Sequence, residues 1–343
     1  MATATNPLVP GGATFIVEWL ASALESRGHR VNLVKIPFHD EPDTLLEQMM
    51  GVRMLDLSRY GELLITIRTP SHLLRHPKKR CWFIHHFRSA YDLWGTKYQT
   101  IPHSLAGSAL RNAIVSADTA GLREAEHVFC NSAVVQTRLK RYNGIESTVL
   151  YPPLPPSEFH GEVTYGDYLL YFCRLAHHKR QWLAIEGLRH TKTQLKLVIA
   201  GSPDPDSEPY INELRLLIGR YGLQDRVTLL THWIDDAQKS DLFSRCRAVA
   251  YFPFDEDSYG YPSLEAHLYR KAVLTTSDSG GTVELVVTGR NGVVTPPDPQ
   301  LIGEAMDRLF ANQAEAQSLG EAGVSRMAEL GIDWDAVVHR LIS

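Results

Sequence analysis

Residues 255–284, D-E-D-S-Y-G-Y-P-S-L-E-A-H-L-Y-R-K-A-V-L-T-T-S-D-S-G-G-T-V-E, bring two acid-bearing loops close together in the chain. The apolar run 248–252 has the character of a buried strand, and Pro262-Ser263-Leu264-Glu265 that of a helix entry, because proline fits the first helical turn. Asp257 and Glu265 therefore flank one strand-to-helix loop, where carboxylates can accept hydrogen bonds from ligand hydroxyls. A second buried strand over 272–276 runs into Ser277-Asp278-Ser279-Gly280-Gly281 and then a helix carrying Glu284. Gly280 and Gly281 permit close backbone approach to a ligand, and the N–H groups of a helix start aim at an anion. Acids for hydroxyls beside glycine loops for phosphate read together as a nucleotide-sugar pocket.

These loops need a sheet to carry them. Short apolar runs at 168–173, 195–200, 227–230, 248–252 and 272–276 alternate with helical patterns over 181–188, 210–221, 240–245 and 263–269. Such alternation predicts a parallel, doubly wound sheet with binding loops at the carboxyl ends of its strands. The first half repeats the style, with an amphipathic helix over 14–27 and strands at 31–36, 63–67, 81–84 and 128–130. Its opening strand is short, since only Ala2, Thr3, Ala4 and Thr5 precede Asn6-Pro7. Between the halves, Leu150-Tyr151-Pro152-Pro153-Leu154-Pro155-Pro156 holds too many prolines for a helix and reads as a stiff hinge-bearing linker. The domains expected are 1–155 and 156–330, followed by a terminal segment, 331–343.

The acid spacing, Asp257-x7-Glu265, with Tyr259-Gly260 and Leu264-Glu265-Ala266, resembles the signature of the family 4 retaining glycosyltransferases. That family has the GT-B fold, an α/β architecture of two facing Rossmann-like domains with parallel sheets and a cleft between them. It usually carries glutamate at the first acid. Aspartate keeps the acceptor oxygens but reaches about one methylene less far. The terminal run Asp333-Trp334-Asp335-Ala336-Val337-Val338 resembles the last GT-B helix, which packs back near the first domain.

The resemblance then implies roles for other residues. Arg174 and Lys179, in Phe172-Cys173-Arg174-Leu175-Ala176-His177-His178-Lys179, match the family's arginine and lysine five residues apart. Two cations at one such loop can neutralise a departing diphosphate in place of a metal. Pro10-Gly11-Gly12-Ala13-Thr14 resembles the first-domain loop that meets the diphosphate and reacting sugar. The predicted strand 81–84 delivers His85-His86-Phe87-Arg88, where the family often places a histidine against the donor sugar. Either His85 or His86 could serve, and strand alternation turns them to opposite sides; Arg88 could hold an acceptor or phosphate oxygen. Gly201-Ser202 resembles a loop near the nucleotide, and Trp233-Ile234 falls where the family reads the base. Asn131-Ser132 also matches a recurrent strand end, with a helix cap as the simpler reading.

Composition bounds the rest. The chain has 343 residues, 44% hydrophobic and 22% charged, enough for two ordinary α/β domains. No apolar run reaches membrane-spanning length, and Met1-Ala2-Thr3-Ala4-Thr5-Asn6-Pro7 lacks secretory character, which predicts a cytoplasmic protein. Cys81, Cys130, Cys173 and Cys246 show no CxxC spacing and read as reduced thiols. Net charge is −4, yet residues 1–160 carry 17 Lys+Arg against 14 Asp+Glu. A mildly basic first half, densest at Arg75-His76-Pro77-Lys78-Lys79-Arg80, could contact the inner face of a membrane peripherally, although a solvated strand approach is the plainer reading. Nucleic acid is disfavoured, with no basic excess and no basic-aromatic interleaving.

The expected reaction moves a sugar from a nucleoside-diphosphate donor to a carbohydrate or lipid-linked hydroxyl acceptor with retention. Family frequency favours a UDP-sugar, UDP-glucose-like, over a GDP-sugar. No cofactor is expected. Asp255-Glu256-Asp257 and Asp204-Pro205-Asp206 fit Asp-x-Asp, but the two-domain pattern and cationic loop argue against a metal. A nucleotide-sugar epimerase of related fold and a catalytically inactive binding module remain alternatives, whereas a redox Rossmann enzyme lacks its G-x-G-x-x-G.

Overall fold

The structure is a computed structural model that describes residues 1–5, 12–39, 41–96, 98–155, 161–202, 207–256 and 258–343, with only the backbone described for 12–14. Asp257 and Gly11 thus lie outside the described residues, as do Asp204 and Asp206. The chain divides into two compact units, 1–155 with 331–343, and 156–330.

In the first unit the strands are β1 (Ala2–Thr5), β2 (Val34–Pro37), β3 (Leu64–Thr66), β4 (Lys79–Phe83), β5 (His127–Cys130) and β6 (Thr148–Val149). They form one parallel sheet in the order β2-β1-β3-β4-β5-β6. The second unit holds β7 (Tyr168–Phe172), β8 (Lys196–Ala200), β9 (Val227–Leu230), β10 (Ala248–Ala250), β11 (Val273–Thr276) and β12 (Gly292–Thr295). Their order is β12-β11-β10-β7-β8-β9, again all parallel. The α/β class with two Rossmann-like sheets is therefore as the alternation of runs implied. Helices cover the sheet faces, so central strands such as Ala248–Ala250 are buried throughout and read as continuous apolar runs.

Differences from expectation are local. The strand at 31–36 begins only at Val34, and the helix at 14–27 is Gly12–Glu25. The edge strand β12, G-V-V-T, is too short to stand out by periodicity. Ser132 caps the helix Ala133–Asn143 by accepting from the Val135 N–H, so the simpler reading of Asn131-Ser132 describes it.

The basic run 75–80 is divided: Arg75 and Lys78 are exposed, whereas Lys79 and Arg80 are spent on partners within the protein. Lys79 is fully buried and donates to the carbonyls of His72 (2.8 Å) and Leu74 (3.1 Å) and to Glu124 (3.2 Å). Arg80 donates to the Leu341 carbonyl at 2.8 Å. Burying an ammonium demands such partners, so this charge is unavailable to a lipid surface.

The terminal helix Trp334–Ile342 belongs to the first unit. Trp334 Nε1 donates to the Leu154 carbonyl at 2.8 Å, its ring meets Trp82 edge-on at 6.3 Å, and Asp335 pairs with Arg27. Within the described residues no helix is long and apolar enough to cross a membrane. All four cysteines are free thiols.

Candidate functional site

In the second sheet the chain runs from β7 outward to β9, then crosses to β10 and proceeds the other way to β12. The carboxyl ends of β7 and β10 are consequently the topological switch point, where an open parallel sheet leaves a crevice. Two loops leave the sheet there, 173–180 and 251–260. The first carries Arg174 and Lys179, and the second leads into the helix that bears Glu265.

Lys179 ends a short 3₁₀ turn, His177–Lys179, immediately before the helix Gln181–Arg189. The Tyr171 hydroxyl donates to its carbonyl, and the Phe254 N–H reaches back to the His178 carbonyl at 2.8 Å, which ties the two loops together. The Lys179 ammonium donates to Tyr251 Oη at 3.2 Å and forms an ion pair with Glu256. Tyr251 Oη lies 3.2 Å from the same Glu256 oxygen. Arg174, in the same loop, is exposed, and its carbonyl accepts from Gln181 Nε2 at 2.9 Å. The structure thus puts Arg174 and Lys179 on one loop beside the acid-bearing loop.

Arg180, which sequence reasoning passed over, is buried and left-handed at φ 56°. That conformation costs a side-chain-bearing residue roughly 1 kcal/mol or more. It turns the guanidinium into the protein, where it donates to the carbonyls of Phe252 (2.6 Å) and Pro253 (2.9 Å), to Thr276 Oγ1 (3.0 Å) and, through two nitrogens, to Asp278 (2.7 Å each). Burial works to raise the Asp278 carboxyl, but the Arg180 pairing outweighs it and holds that group below its ordinary value. One side chain therefore joins the loops that follow β7, β10 and β11.

The glycines allow close approach, but by neighbouring loops. A Cβ on Gly280 would stand 2.3 Å from the Glu256 carbonyl oxygen, and one on Gly281 2.7 Å from Ser258 Cα. Gly260, at φ 68°, would press a Cβ to 2.3 Å from the Tyr251 ring, and Gly201 to 1.9 Å from the Cys173 carbonyl oxygen. Tyr259 is buried, so its ring belongs to the core and is withdrawn from direct donor contact. Ile234 is buried and Trp233 exposed.

Glu265 sits on the helix Tyr261–Leu268 with its carboxylate 3.2 Å from the Lys239 ammonium. Burial pushes its carboxyl above the ordinary range, and Lys239 acts against that shift. Lys239 is a partner that sequence spacing could not reveal, because it lies on a different helix, Asp236–Arg245.

In the first unit the structure separates the two histidines. His86 is buried against Phe83, Tyr91 and Tyr142, with Nε2 at 2.9 Å from Asn143 Oδ1. Asn143 in turn donates to Thr119 at 2.8 Å, so Nε2 of His86 carries the proton. This corrects any assignment of His86 to the sugar, since its ring is enclosed by aromatic core. His85 is half-buried, with Nδ1 at 2.7 Å from the His86 carbonyl. Arg88 pairs with Asp92, with Nε at 2.7 Å from the carboxylate. Gly12 opens the helix Gly12–Glu25. A groove of about 600 Å³ lined by Arg111, Ser116, Thr119, Arg123, Arg141 and Tyr142 holds none of the residues selected from sequence.

Burial pushes the His86 imidazole down to about 4, with the Asn143 hydrogen bond opposing, and pushes His267 in the second unit to about 4 as well. An unfolded chain takes up each proton below about 6.5, whereas the folded chain refuses it until about 4. Stability from these neutral rings is complete above about pH 6.5 and is lost as pH falls towards 4, by up to about 3 kcal/mol for each ring. Urea midpoints should accordingly be lower at pH 4.5 than at pH 7 for both units; equal midpoints would contradict the neutral assignments.

No group of three His, Cys, Asp or Glu side chains comes together as a metal centre among the described residues. Residues 157–326 match the family described as Glycosyl transferases group 1. The chain is 27% identical over 230 residues, 60% of its length, to the alpha-1,3/1,6-mannosyltransferase ALG2 of Mus musculus. It is also 27% identical over 154 residues, 44% of its length, to the lipopolysaccharide core biosynthesis mannosyltransferase LpcC of Rhizobium leguminosarum bv. viciae. These matches span 55% and 42% of the relatives' own lengths, about half. In fold it resembles the sucrose-phosphate synthase of Thermosynechococcus elongatus (TM-score 0.77, 18% identity, 99% of this chain and 96% of that one). It likewise resembles Anabaena Alr3699/HepE in complex with UDP (TM-score 0.70, 18% identity, 99% and 97%).

Proposed function

Because residues 157–326 make the chain a member of the group 1 glycosyl transferases, we propose that it moves a sugar from a nucleoside-diphosphate donor to a hydroxyl acceptor, with retention. The observation that carries this reading is the meeting of loops 173–180 and 251–260 at the switch point, with the Lys179 ammonium 3.2 Å from Tyr251 Oη. A cation held there suits a diphosphate whose charge grows as the sugar–oxygen bond breaks. Lys179 and Arg174 stabilise that leaving group. Asp257 meets the transferred sugar's hydroxyls and Glu265 the donor ribose, with the Gly201, Gly260 and Gly280-Gly281 loops shaping the walls and Trp233-Ile234 beside the base. In the first unit His85, Arg88 and the Gly11-Gly12 loop serve the sugar and diphosphate. The diphosphate departs with the bonding pair and the acceptor oxygen attacks the same face, so no protein nucleophile, metal or cofactor takes part.

Mannosyltransferase relatives support a mannosyl donor, and the UDP bound to HepE supports uridine. The lipopolysaccharide role in one relative's name supports a carbohydrate or lipid-linked acceptor, reached by a cytoplasmic protein in peripheral contact with the membrane. The test is a panel of labelled UDP- and GDP-linked glucose and mannose, with and without acceptor. Acceptor-dependent transfer supports the proposal, whereas product formed without acceptor indicates an epimerase. Binding without any turnover indicates the inactive module, and an inverted product by NMR overturns retention.

Losing a charged hydrogen-bond partner costs about 1.5–3 kcal/mol, so Glu265→Ala should weaken nucleotide binding roughly ten- to hundredfold. Calorimetric titration with the preferred nucleotide checks this. Unchanged affinity would remove Glu265 from the ribose.

A further inference from the structure

The ion pair on Lys179 occupies the place where the proposed function needs an anion of another kind. We infer that the Glu256 carboxylate stands in for the donor diphosphate on Lys179 while the site is empty, and that the donor must displace it, which makes Glu256 a gate on donor affinity. This inference rests on the proposed function.

Three observations carry it. Lys179, Tyr251 and Glu256 close a ring of contacts, in which the ammonium and the phenol both address one carboxylate oxygen. A diphosphate brought to the same ammonium would meet that carboxylate at like-charge distance, and co-occupancy is opposed by repulsion. Secondly, the backbone of Glu256 is anchored independently of its side chain. Its carbonyl accepts from the Gly281 N–H at 2.9 Å, and the Asp255 N–H donates to the Asp278 carbonyl at 2.9 Å. Gly280 lies so close that any Cβ would strike the Glu256 main chain, at 2.4 Å from its nitrogen. The side chain can therefore swing while the loop stays in place. Thirdly, the Glu256 side chain is 17% exposed, which leaves it a route to solvent when displaced.

Glu256 acts through Lys179 and is thus a positioning residue. Its neutralisation should tighten donor binding, a result that damage to the fold does not produce. Glu256→Gln keeps the shape and removes the charge that competes with phosphate. UDP and GDP titrated against wild type and Glu256→Gln should show the bound nucleotide held about tenfold more tightly by the variant, with a smaller gain for the corresponding nucleoside monophosphate. The donor KM should fall without a matching rise in kcat. Glu256→Asp, which keeps the charge on a shorter stem, should give an intermediate gain; if Glu256→Gln fails to fold by thermal melting, this variant carries the test. Wild type binding UDP or GDP with the variants binding it equally or more weakly overturns the gate and leaves the proposed function standing. Neither nucleotide binding to wild type or variants, together with no donor turnover, overturns both.

Discussion

Lys179→Ala and Arg174→Ala should each lower kcat by on the order of a hundredfold or more while changing donor affinity less, because their charge is needed most when the leaving diphosphate gains its own. The structure adds a reason specific to Lys179. Its ammonium is the cation that neutralises Glu256 in this corner, so removing it leaves a carboxylate where the phosphates must go. Part of the Lys179→Ala defect should then be relieved in the Lys179→Ala/Glu256→Gln double variant, since contacting residues couple. The Arg174→Ala/Glu256→Gln double variant measures how far Arg174 shares that coupling. Steady-state kinetics on the four variants decides it. Normal turnover by both single variants would mean that the diphosphate is held elsewhere.

Much of the framework was legible because the sheet strands of an α/β unit are buried on both faces. Runs such as Y-L-L-Y-F and V-L-T-T can then be read directly, and β7 and β11 fall within the predicted spans. Short edge elements escape that reasoning: β6 spans Thr148–Val149 and β12 spans Gly292–Thr295, too few residues to show a period. At the candidate site the residue types were legible but their partners were not. Sequence offered His85 and His86 alike, and it is the aromatic cluster of Phe83, Tyr91 and Tyr142 that encloses His86. Gly280 and Gly281 signalled close approach, but the approaching backbone is that of Asp255, Glu256 and Ser258, which no local pattern names. Glu256 lay one position from the acid that spacing selected. Its ion pair with Lys179 joins two loops far apart in sequence.

Arg180→Ala should destabilise the second unit by about 3 kcal/mol or more, a large share of the roughly 5–15 kcal/mol that holds a domain folded. In His177-His178-Lys179-Arg180 sequence alone does not say which cation faces the ligand. The left-handed backbone at Arg180 resolves this by turning its guanidinium under the loops. Truncation would strip the Phe252 and Pro253 carbonyls of donors and leave Asp278 without its two-nitrogen pairing. Unpaired buried groups of this sort account for most of the expected loss. Arg180→Lys keeps one positive charge but not the planar fork, so it should recover only a minor part. Arg180→Gly would relieve the φ of 56° yet lose every side-chain hydrogen bond, and it should remain close to the alanine variant. Urea unfolding followed by a probe in the second unit measures all three. A loss below about 1 kcal/mol for Arg180→Ala, the scale of an exposed ion pair, would show that the three loops hold their geometry without this side chain.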